Sequence, residues 1–406
     1  MADDMKHAEQ IAGPSVERGS RRSYLKRVST GLSILVVGGA TYRTYDQGVM
    51  HAGTGPAYEP WDDWQDHDEG GPLSVVRAAI LAASPHNSQP WRFDVHESSV
   101  DLFSDPSRTL GSFDAFRREF DIGLGCALEN GMLAARANGF VPDVTMFPDD
   151  SDHTHIATLD LHPAAPDVSP LYEAIPDRHT NRAAYNTDRK VAPATRTEMT
   201  VLADEFTDID LTWVTELEPK HRLSEMLVEA TASIISDDEM INDSSEWFRY
   251  DWDEIQTKRD GVTVDAQGLS AFRRILGKML PAPSDEWTNR LWLDATEEQH
   301  TETADSYGLL TVGDANDRSQ LLRAGRLWQR LHLFGTTRSL AMHPMNQITE
   351  WIDRQLDLGN ESVHEDQLRA FTPNEKRLVF TFRIGHPTKD GQEGPRRSVE
   401  MVRQDG

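Results

Sequence analysis

Residues 82–93 read Ala-Ala-Ser-Pro-His-Asn-Ser-Gln-Pro-Trp-Arg-Phe, and this stretch is the most informative part of the chain. It places hydroxyl, imidazole and amide groups within the six positions 84–89. The hydrophobic pattern predicts a helix over 73–83, ended by the proline that follows, and a strand over 91–95. Taken alone, the stretch is also explained by an Asx-rich turn beside a core tryptophan.

The composition limits the partners and the chemistry of the chain. Its 406 residues allow two to three domain-sized units. The 67 Asp and Glu against 41 Lys and Arg give a net charge of −26, so the surface repels phosphate backbones and we expect no nucleic-acid partner. The single cysteine, Cys126, excludes an intrachain disulfide and a cysteine-rich metal site. Redox chemistry would therefore need a bound cofactor.

The remaining pattern predicts two halves with a similar plan. In the first half, a hairpin is predicted at 91–95 and 100–103, a long helix at 114–138 and a strand at 154–161, before a proline-rich linker at 163–170. In the second half, helices are predicted at 195–206 and 222–235, strands at 209–214, 309–312 and 378–384, and another long helix at 317–339. Duplication and fusion would explain this, although residue identity between the halves is too weak to prove it. The acidic stretch 236–306 is too long for a connection and is predicted to be an insertion or lid.

Several common functional signatures are missing. Gly123 and Gly125 lie inside the first long helix, without the third glycine of a dinucleotide fingerprint. The NTPase phosphate loop, the hydrolase nucleophile elbow and the zinc motif His-Glu-x-x-His are absent. His153 and His155 are too few for a metal, and Cys126, in an apolar helix, is predicted to be a packed thiol. We therefore predict no metal ligand and no catalytic side chain.

A basic segment that opens the second half is a candidate for binding an anion. It spans 178–185 and reads Arg-His-Thr-Asn-Arg-Ala-Ala-Tyr. In an extended segment, Arg178, Thr180 and Arg182 would project to one side, as the binding of a phosphate dianion requires. Taken alone, the segment is better explained as a solvated basic surface.

Two further segments draw attention later in the chain. Near the C-terminus, 395–400 reads Pro-Arg-Arg-Ser-Val-Glu and contributes Arg396 and Arg397. After the second long helix, 341–347 reads Ala-Met-His-Pro-Met-Asn-Gln. By themselves, the first could be an ordinary charged tail and the second a helix N-terminus capped by Asn346.

Together, and in this order, the four segments resemble the FMN-binding nitroreductase superfamily. Residues 82–93 resemble its Ser-x-x-Asn-x-Gln-Pro-Trp-x-Phe motif, which lies beside the flavin at the subunit interface. Residues 178–185 are similar to its opening Arg-x-Ser/Thr-x-Arg, and 395–400 resemble the closing segment that returns an arginine to the same phosphate. The branch that the chain resembles is that of the Acg-like proteins with a twin-arginine signal, in which a fused, duplicated chain imitates the nitroreductase dimer.

The resemblance implies an α+β, nitroreductase-like fold. Two fused α/β/α sandwich halves, at 49–170 and 171–406, would form a pseudo-dimer, with 236–306 as a lid-like insertion. The first half departs from the family because Trp61-Asp62-Asp63-Trp64 stands where a phosphate-binding segment would lie, and its carboxylates would repel phosphate. One FMN site per chain is therefore expected.

The resemblance also implies which residues hold the FMN. The ring edge would be contacted from the first half, and the backbone of the second would lie against the ring, with the N–H of Asn346 facing N5. The phosphate would be held by the arginines and the intervening hydroxyl. The residues implied are Ser84, His86, Asn87 and Gln89 for the ring edge, Pro344, Met345 and Asn346 for the ring face, and Arg178, Thr180, Arg182, Arg396 and Arg397 for the phosphate.

The function that the resemblance implies is two-step electron transfer. A reductant, NAD(P)H or another donor, would reduce the FMN, and a nitroaromatic, a quinone or a similar flat acceptor would then take the electrons. An alternative is a protein that stores, sequesters or senses FMN with little turnover, because a lid at 236–306 would exclude a nicotinamide. A third interpretation is an anchored structural protein without flavin.

The N-terminal 48 residues are predicted to be a twin-arginine signal. Ser20-Arg21-Arg22-Ser23-Tyr24-Leu25-Lys26 precedes a short apolar stretch at 28–40. A partner translocase and export from the cytoplasm are expected. Retention as a membrane anchor is also expected, since no clear cleavage site follows the apolar stretch. A basic disordered arm is the alternative interpretation.

Overall fold

A computed structural model describes residues 52–65, 71–279, 284–372 and 376–404. The predicted signal at 1–48 lies outside these residues. Within them, no helix combines the length and the apolar character that crossing a bilayer requires.

The first half contains one antiparallel sheet and one long helix. Its sheet has the strand order β1-β2-β4-β3. The long helix is followed by Gly139, whose φ of +84° is the left-handed conformation that ends a helix. The helices are α1 (Glu59–Asp62), α2 (Pro72–Ala79), α3 (Arg118–Ala137) and α4 (Pro170–Glu173), and the strands are β1 (Trp91–Val95), β2 (Ser99–Ser104), β3 (Phe140–Met146) and β4 (His155–Pro163).

The second half begins with a helix, a strand and a helix, and continues into the predicted insertion. The first three elements are α5 (Pro193–Ala203), β5 (Ile209–Val214) and α6 (Leu217–Ile235). The insertion consists of short elements: α7 (Asp238–Ser245), β6 (Phe248–Arg249), α8 (Trp252–Lys258), β7 (Val262–Thr263), α9 (Ala271–Met279), α10 (Asp285–Ala295) and a π-helical segment, Thr296–Thr301. Strands β6 and β7 pair in parallel.

The chain then completes a second antiparallel sheet around a second long helix. The elements are β8 (Ser306–Val312), α11 (Arg318–Thr337), β9 (Ala341–Pro344), α12 (Gln347–Asp357), α13 (Val363–Leu368), β10 (Arg377–Gly385) and α14 (Val399–Val402). The sheet order is β5-β8-β10-β9.

Both four-stranded sheets have the same internal order. When the strands of each half are counted along the chain, both sheets read first, second, fourth, third. In both halves the long helix connects the second strand to the third. The α+β class and the two halves with long central helices are confirmed, and the shared order supports the duplication that residue identity alone could not prove. The exact domain boundaries stay predictions.

The two long helices pack against each other at the centre of the largest hydrophobic cluster. Gly125 and Gly325 allow their backbones to approach, since a Cβ at either glycine would collide with the opposite backbone. Cys126 is buried there and donates to the carbonyl oxygen of Gly325 at 3.3 Å, and burial raises its pKa to about 12. The prediction of a packed thiol is confirmed.

Most predicted strands are confirmed, but the sequence does not predict β3, β9 or the two-residue strands β6 and β7. Strand β3 lies at a sheet edge, contains Pro142 and Asp143, and is only partly buried, so it lacks the apolar pattern of a core strand. Strand β9 has only four residues. The predicted linker at 163–170 contains no strand beyond Pro163.

The His153–His155 pair has no metal-site geometry among the residues that the structure describes, which contain no group of three ligating side chains able to hold an ion. His155 stacks on Phe103 with ring centroids 4.4 Å apart, and its Nε2 lies 3.2 Å from Asp101.

Candidate functional site

The segment 84–89 forms a strained loop between α2 and β1. Three residues with side chains, His86, Asn87 and Gln89, have φ values of +45°, +55° and +52°. Such backbone conformations are costly without glycine and persist only where the surroundings impose them. Ser84 stabilises the loop, because its Oγ accepts the backbone N–H of Gln89 at 3.0 Å.

Asn87 and Gln89 connect this loop to two distant segments. Asn87 Nδ2 donates to the carbonyl oxygens of Gly261 and Pro395 at 3.1 and 2.9 Å. Gln89, fully buried, donates to the carbonyl oxygen of Arg259 at 2.8 Å. Both side chains therefore bind the insertion or the C-terminal segment, and their predicted contact with a flavin ring edge stays a prediction.

The side chain of His86, within the loop, contacts the insertion. Its Nε2 is 3.0 Å from Ser244 Oγ, and its ring meets Phe113 edge to face at 4.9 Å between centroids. Burial, and secondly the positive charge of Arg182, lower the pKa of His86 to about 4. The imidazole is therefore neutral at pH 7.

Arg178 and Arg396 converge on the end of α2 from opposite ends of the second half. Arg178 NH2 donates to the carbonyl oxygen of Leu81 at 3.1 Å, and Arg396 NH2 donates to that of Ala82 at 3.3 Å. Both side chains are buried, with exposed fractions of 2% and 5%. Arg178 NH1 also lies 3.4 Å from His332 Nδ1. Both arginines thus lie beside the loop, and their predicted contact with a shared phosphate stays a prediction.

Among the residues that the structure describes, neither arginine forms an ion pair with an acidic side chain. Within the described ranges, no carboxylate oxygen lies within 4.0 Å of either guanidinium. The Nε–H of each is buried without an acceptor. Burial lowers the pKa of Arg178 to about 10, and burial with the charge of Arg178 lowers that of Arg396 well below its usual value. A buried cation pair without a carboxylate in ion-pair contact is unfavourable unless an anion binds it.

The Arg396 guanidinium packs on Trp61, which in turn contacts His179. Trp61 lies under it, with the guanidinium carbon 4.7 Å from the ring centroid, and His179 meets the indole edge to face at 4.9 Å. Burial and the two neighbouring arginines lower the pKa of His179 to about 3, so it adds no positive charge at neutral pH. Asp62 and Asp63 of the same first-half segment are exposed to solvent.

Arg182 contacts different neighbours from Arg178, and a shared phosphate contact of the two stays a prediction. Its NH1 donates to the carbonyl oxygen of Ala266 at 3.3 Å. Burial, followed by the charge of Arg383, lowers its pKa to about 10. Around Arg182 the chain forms an Asx turn, in which Asn181 Oδ1 accepts the N–H of Ala183 at 3.0 Å. Thr180, between them in sequence, is half-buried.

Arg397 supports the loop from the C-terminal segment. Its backbone N–H donates to Gln89 Oε1 at 2.8 Å, and its NH1 donates to the carbonyl oxygen of Gln89 at 3.2 Å. NH2 donates to the carbonyl oxygen of Met401 at 2.8 Å. A direct phosphate contact of Arg397 stays a prediction.

The segment 344–346 is held by β10 rather than by the loop. Pro344 is opposite Phe382 in the sheet, and the N–H of Met345 donates to the carbonyl oxygen of Thr381 at 2.7 Å. The Met345 amide is therefore not free for a flavin ring. Asn346 precedes α12, as predicted for a cap, but its Oδ1 accepts the N–H of Thr381 at 2.8 Å and makes no capping bond. The predicted approach of the Asn346 N–H to a ring stays a prediction.

The sequence prediction missed Trp61, His332 and Arg383 as parts of this region. Arg383 is fully buried and donates to the carbonyl oxygen of Ala183 at 2.9 Å. A signal existed for it, because Arg383 is the one charged residue between 378 and 384, within an otherwise apolar or hydroxyl-bearing strand. Trp61 and His332 carry no local signal, since tryptophan and histidine are common in cores.

A cavity of about 390 Å³ lies elsewhere, at α11 and the connection after α5. Its arginines are paired with carboxylates: Arg323 with Asp208, Arg326 with Glu129, and Arg330 with Glu129 and Glu205. It therefore offers no unpaired cation to an anionic ligand.

No family model matches the chain. A Mycobacterium tuberculosis protein named as a candidate NAD(P)H nitroreductase is 29% identical over 283 residues, which are 68% of this chain and 76% of that protein. Another from the same organism, named as the candidate NAD(P)H nitroreductase acg, is 40% identical over 91 residues, 22% of this chain and 28% of that protein.

Solved structures of nitroreductases align with part of the chain. The FMN-dependent nitroreductase NfnB of Mycobacterium smegmatis, in complex with NADPH, is 14% identical and has a TM-score of 0.37, covering 58% of this chain and 98% of that one. A nitroreductase with bound FMN from Desulfitobacterium hafniense is 12% identical with a TM-score of 0.34, covering 56% and 94%. The sequence relatives from Mycobacterium tuberculosis confirm the predicted resemblance to the Acg-like nitroreductases, while the twin-arginine signal stays a prediction.

Proposed function

We propose that the chain is an FMN-dependent oxidoreductase of the nitroreductase type. The observation that carries this proposal is the pair of buried arginines, Arg178 and Arg396, without a carboxylate within 4.0 Å in the described part of the chain. In a protein of net charge −26, most arginines could easily be paired with acids. An unpaired buried pair therefore indicates an anionic ligand.

The residues present fit the phosphate group of FMN. Each arginine has a buried Nε–H without an acceptor, and a phosphate oxygen accepts such charge-assisted hydrogen bonds strongly. The dianion would also neutralise the two adjacent positive charges. We assign the phosphate to Arg178 and Arg396, and keep Thr180 and Arg182 as further predicted contacts.

The chain's own residues bind and orient rather than react. When bound, FMN would accept electrons from one substrate and pass them to another, so the protein needs no nucleophile of its own. Ser84, Asn87 and Gln89 fix the shape of the loop beside the arginine pair. His86 is neutral at pH 7 and offers a hydrogen-bonding edge without adding charge.

For the substrates, we infer NAD(P)H as a reductant and a nitroaromatic, a quinone or a similar flat acceptor. The names of the Mycobacterium tuberculosis relatives support the reductant. Steady-state oxidation of NADH and NADPH with several acceptors tests both assignments. Turnover with none of the combinations, by protein that holds FMN, would contradict them.

A second candidate is an FMN-storing or FMN-sensing protein with little turnover. The observation that favours it is the contact between the insertion and the loop, in which the carbonyl oxygens of Arg259 and Gly261 accept hydrogen bonds from Gln89 and Asn87. An insertion held this closely would limit the access of a nicotinamide. Slow or absent NAD(P)H oxidation together with tight FMN binding is the outcome expected for this candidate.

For the location, we propose export by the twin-arginine pathway. The motif at 20–26 supports it. Fusion of residues 1–60 to a reporter that is active only after export tests the proposal, with Arg21→Lys/Arg22→Lys as the control. Equal export of both fusions, or none of either, would contradict it.

The first test of the function is the visible spectrum of the purified, desalted protein, followed by quantification of the flavin released by heat. About one FMN per chain is expected. A colourless protein that also fails to take up added FMN would contradict the proposal.

A further inference from the structure

Trp61 belongs to the first-half segment that departs from the family's phosphate-binding pattern. We infer that Trp61 is a positioning residue that holds the Arg396 guanidinium in the orientation that receives the FMN phosphate. The inference rests on the proposed function and extends it, because it assigns a role in the phosphate site to the first half of the chain.

Hydrogen bonds to the backbone fix the positions of both Trp61 and Arg396. Its Nε1–H donates to the carbonyl oxygen of Gly394 at 2.8 Å, two residues before the arginine. The N–H of Arg396 donates to the carbonyl oxygen of Ala57, four residues before the tryptophan, at 2.7 Å. Trp61 is 5% exposed. The tryptophan and the arginine are thus connected through their backbones as well as through the ring contact.

The contacts of Arg396 leave two of its N–H groups without an acceptor among the described residues, the Nε–H and one N–H of NH2. NH1 donates to Asn87 Oδ1 at 2.6 Å and to the carbonyl oxygen of Pro395 at 3.0 Å, while NH2 donates to that of Ala82 at 3.3 Å. One face of the guanidinium is covered by the indole of Trp61. Of the two free donors, the Nε–H is buried and has no acceptor in the described part of the chain. A desolvated cation on an aromatic face is held firmly, and its free donors keep their direction.

Glu393 is a carboxylate that could compete with the phosphate for Arg396. Glu393 is half-buried three residues before Arg396, and the two charges influence each other without forming an ion pair within 4.0 Å in the described ranges. The indole of Trp61 occupies one face of the guanidinium. Without it, Arg396 could turn to Glu393, and that ion pair would compete with the phosphate.

The test compares FMN with riboflavin, which lacks the phosphate. Dissociation constants for both flavins are measured by fluorescence titration of the flavin-free full chain. Trp61→Leu keeps much of the apolar volume but removes the aromatic face, and we expect FMN to bind roughly tenfold more weakly while riboflavin changes by less than about twofold. Trp61→Phe keeps an aromatic face and should weaken FMN binding by only about threefold.

A double variant tests the competition. In Trp61→Leu/Glu393→Gln, the competing carboxylate is removed, and we expect recovery of most of the lost FMN affinity. Trp64→Leu is the matched control, because Trp64 is buried in the same segment but contacts Tyr172, with ring centroids 5.0 Å apart. It should leave the FMN-to-riboflavin affinity ratio unchanged.

Several results would overturn the inference. Equal losses of FMN and riboflavin affinity in Trp61→Leu would show that Trp61 has a general packing role. An unchanged FMN affinity would show that the contact between Trp61 and Arg396 does not contribute to FMN binding. If Trp61→Leu does not fold, Trp61→Phe decides, since an unchanged affinity ratio would then contradict the inference. A wild-type chain that binds neither flavin would instead contradict the proposed function, which is a distinguishable result.

Discussion

Gly125 on α3 and Gly325 on α11 make reciprocal contacts where the two long helices cross. Gly125 faces the carbonyl oxygen of Leu322, and Gly325 faces that of Ile122. In the sequence, Leu322 follows Ile122 by as many residues as Gly325 follows Gly125. Such an exchange, in which each position meets the other's neighbour, is the pattern of an interface with two-fold symmetry. It agrees with the shared strand order of the two sheets and supports an origin by duplication.

The glycine contact predicts a loss of stability on adding a methyl group. In Gly125→Ala, the new Cβ would collide with the Leu322 backbone, which cannot move away as a flexible side chain could. We expect destabilisation by about 2–3 kcal/mol, measured as a lower melting temperature by calorimetry. Gly313→Ala is the control, because its Cβ would meet only Gln320 Oε1 at 3.6 Å. Equal melting temperatures of the two variants would contradict the close helix contact.

The buried arginine pair predicts opposite effects on the flavin-free and the FMN-loaded protein. Arg178→Met removes a buried charge that has no carboxylate within 4.0 Å in the described ranges, so we expect little loss, or a gain, of melting temperature without flavin. We expect FMN affinity to fall by about 10- to 100-fold and the stabilisation by added FMN to decrease accordingly. Calorimetry with and without FMN checks both.

Arg338→Met is the control for the arginine prediction. Arg338 is half-exposed and pairs with Glu198 at 2.7 Å, away from the loop. It should leave FMN affinity unchanged. A fall in FMN affinity of the same size in both variants would mean that Arg178 has no special part in binding the phosphate.

The sequence predicts the elements that depend on local pattern. The hairpin, the long helices and the central strands follow from apolar periodicity, and the left-handed turn at Gly139 follows from the freedom of glycine. The meeting of the loop with Arg178 and Arg396 is predicted only through the family resemblance. Local pattern does not contain it, because these residues lie far apart in the chain.

The contacts that the sequence does not predict are long-range. Arg178 contacts the residues after α2 and Arg182 contacts the insertion, and no local pattern indicates either contact. The amides of Asn87 and Gln89 are used by the insertion and the C-terminal segment, contacts over more than 150 residues that no local pattern indicates. The same is true of Trp61, which meets Arg396 from the far end of the chain.

Glu129 predicts a second test of the contact between the halves. It is buried on α3, and its carboxylate accepts hydrogen bonds from Arg326 and Arg330 of α11 at 3.0 and 2.7 Å. Glu129→Gln removes the negative charge and leaves two arginines without it, so we expect a loss of roughly 3 kcal/mol, seen as a lower melting temperature. Glu198→Gln, in a half-exposed pair, should cost less than about 1 kcal/mol. A similar small loss in both would contradict the buried bridge.

A group of buried carboxyls predicts how stability depends on pH. Glu119 at the start of α3 and Glu350 on α12 lie close together, and burial is the main cause that raises the pKa of each, with Glu119 adding to that of Glu350. Burial and Glu119 raise the pKa of nearby Asp114 to about 7. Asp353 also faces them and is paired with Arg118. Such carboxyls keep protons in the folded state that the unfolded chain releases near pH 4.

Stability should therefore fall as the pH rises from about 4 through about 7, because the folded state then loses protons that it holds more tightly than the unfolded state. Glu350→Gln stays neutral at every pH and can donate a hydrogen bond to Glu119, so we expect a flatter dependence and a melting temperature above wild type at pH 8. Melting curves between pH 5 and pH 8 measure this, with Glu361→Gln, at an exposed position, as the control. If the melting temperatures of both variants change with pH as steeply as that of the wild type, protonation of Glu350 does not contribute to the pH dependence of stability. The buried carboxylates must then be stabilised by cations instead.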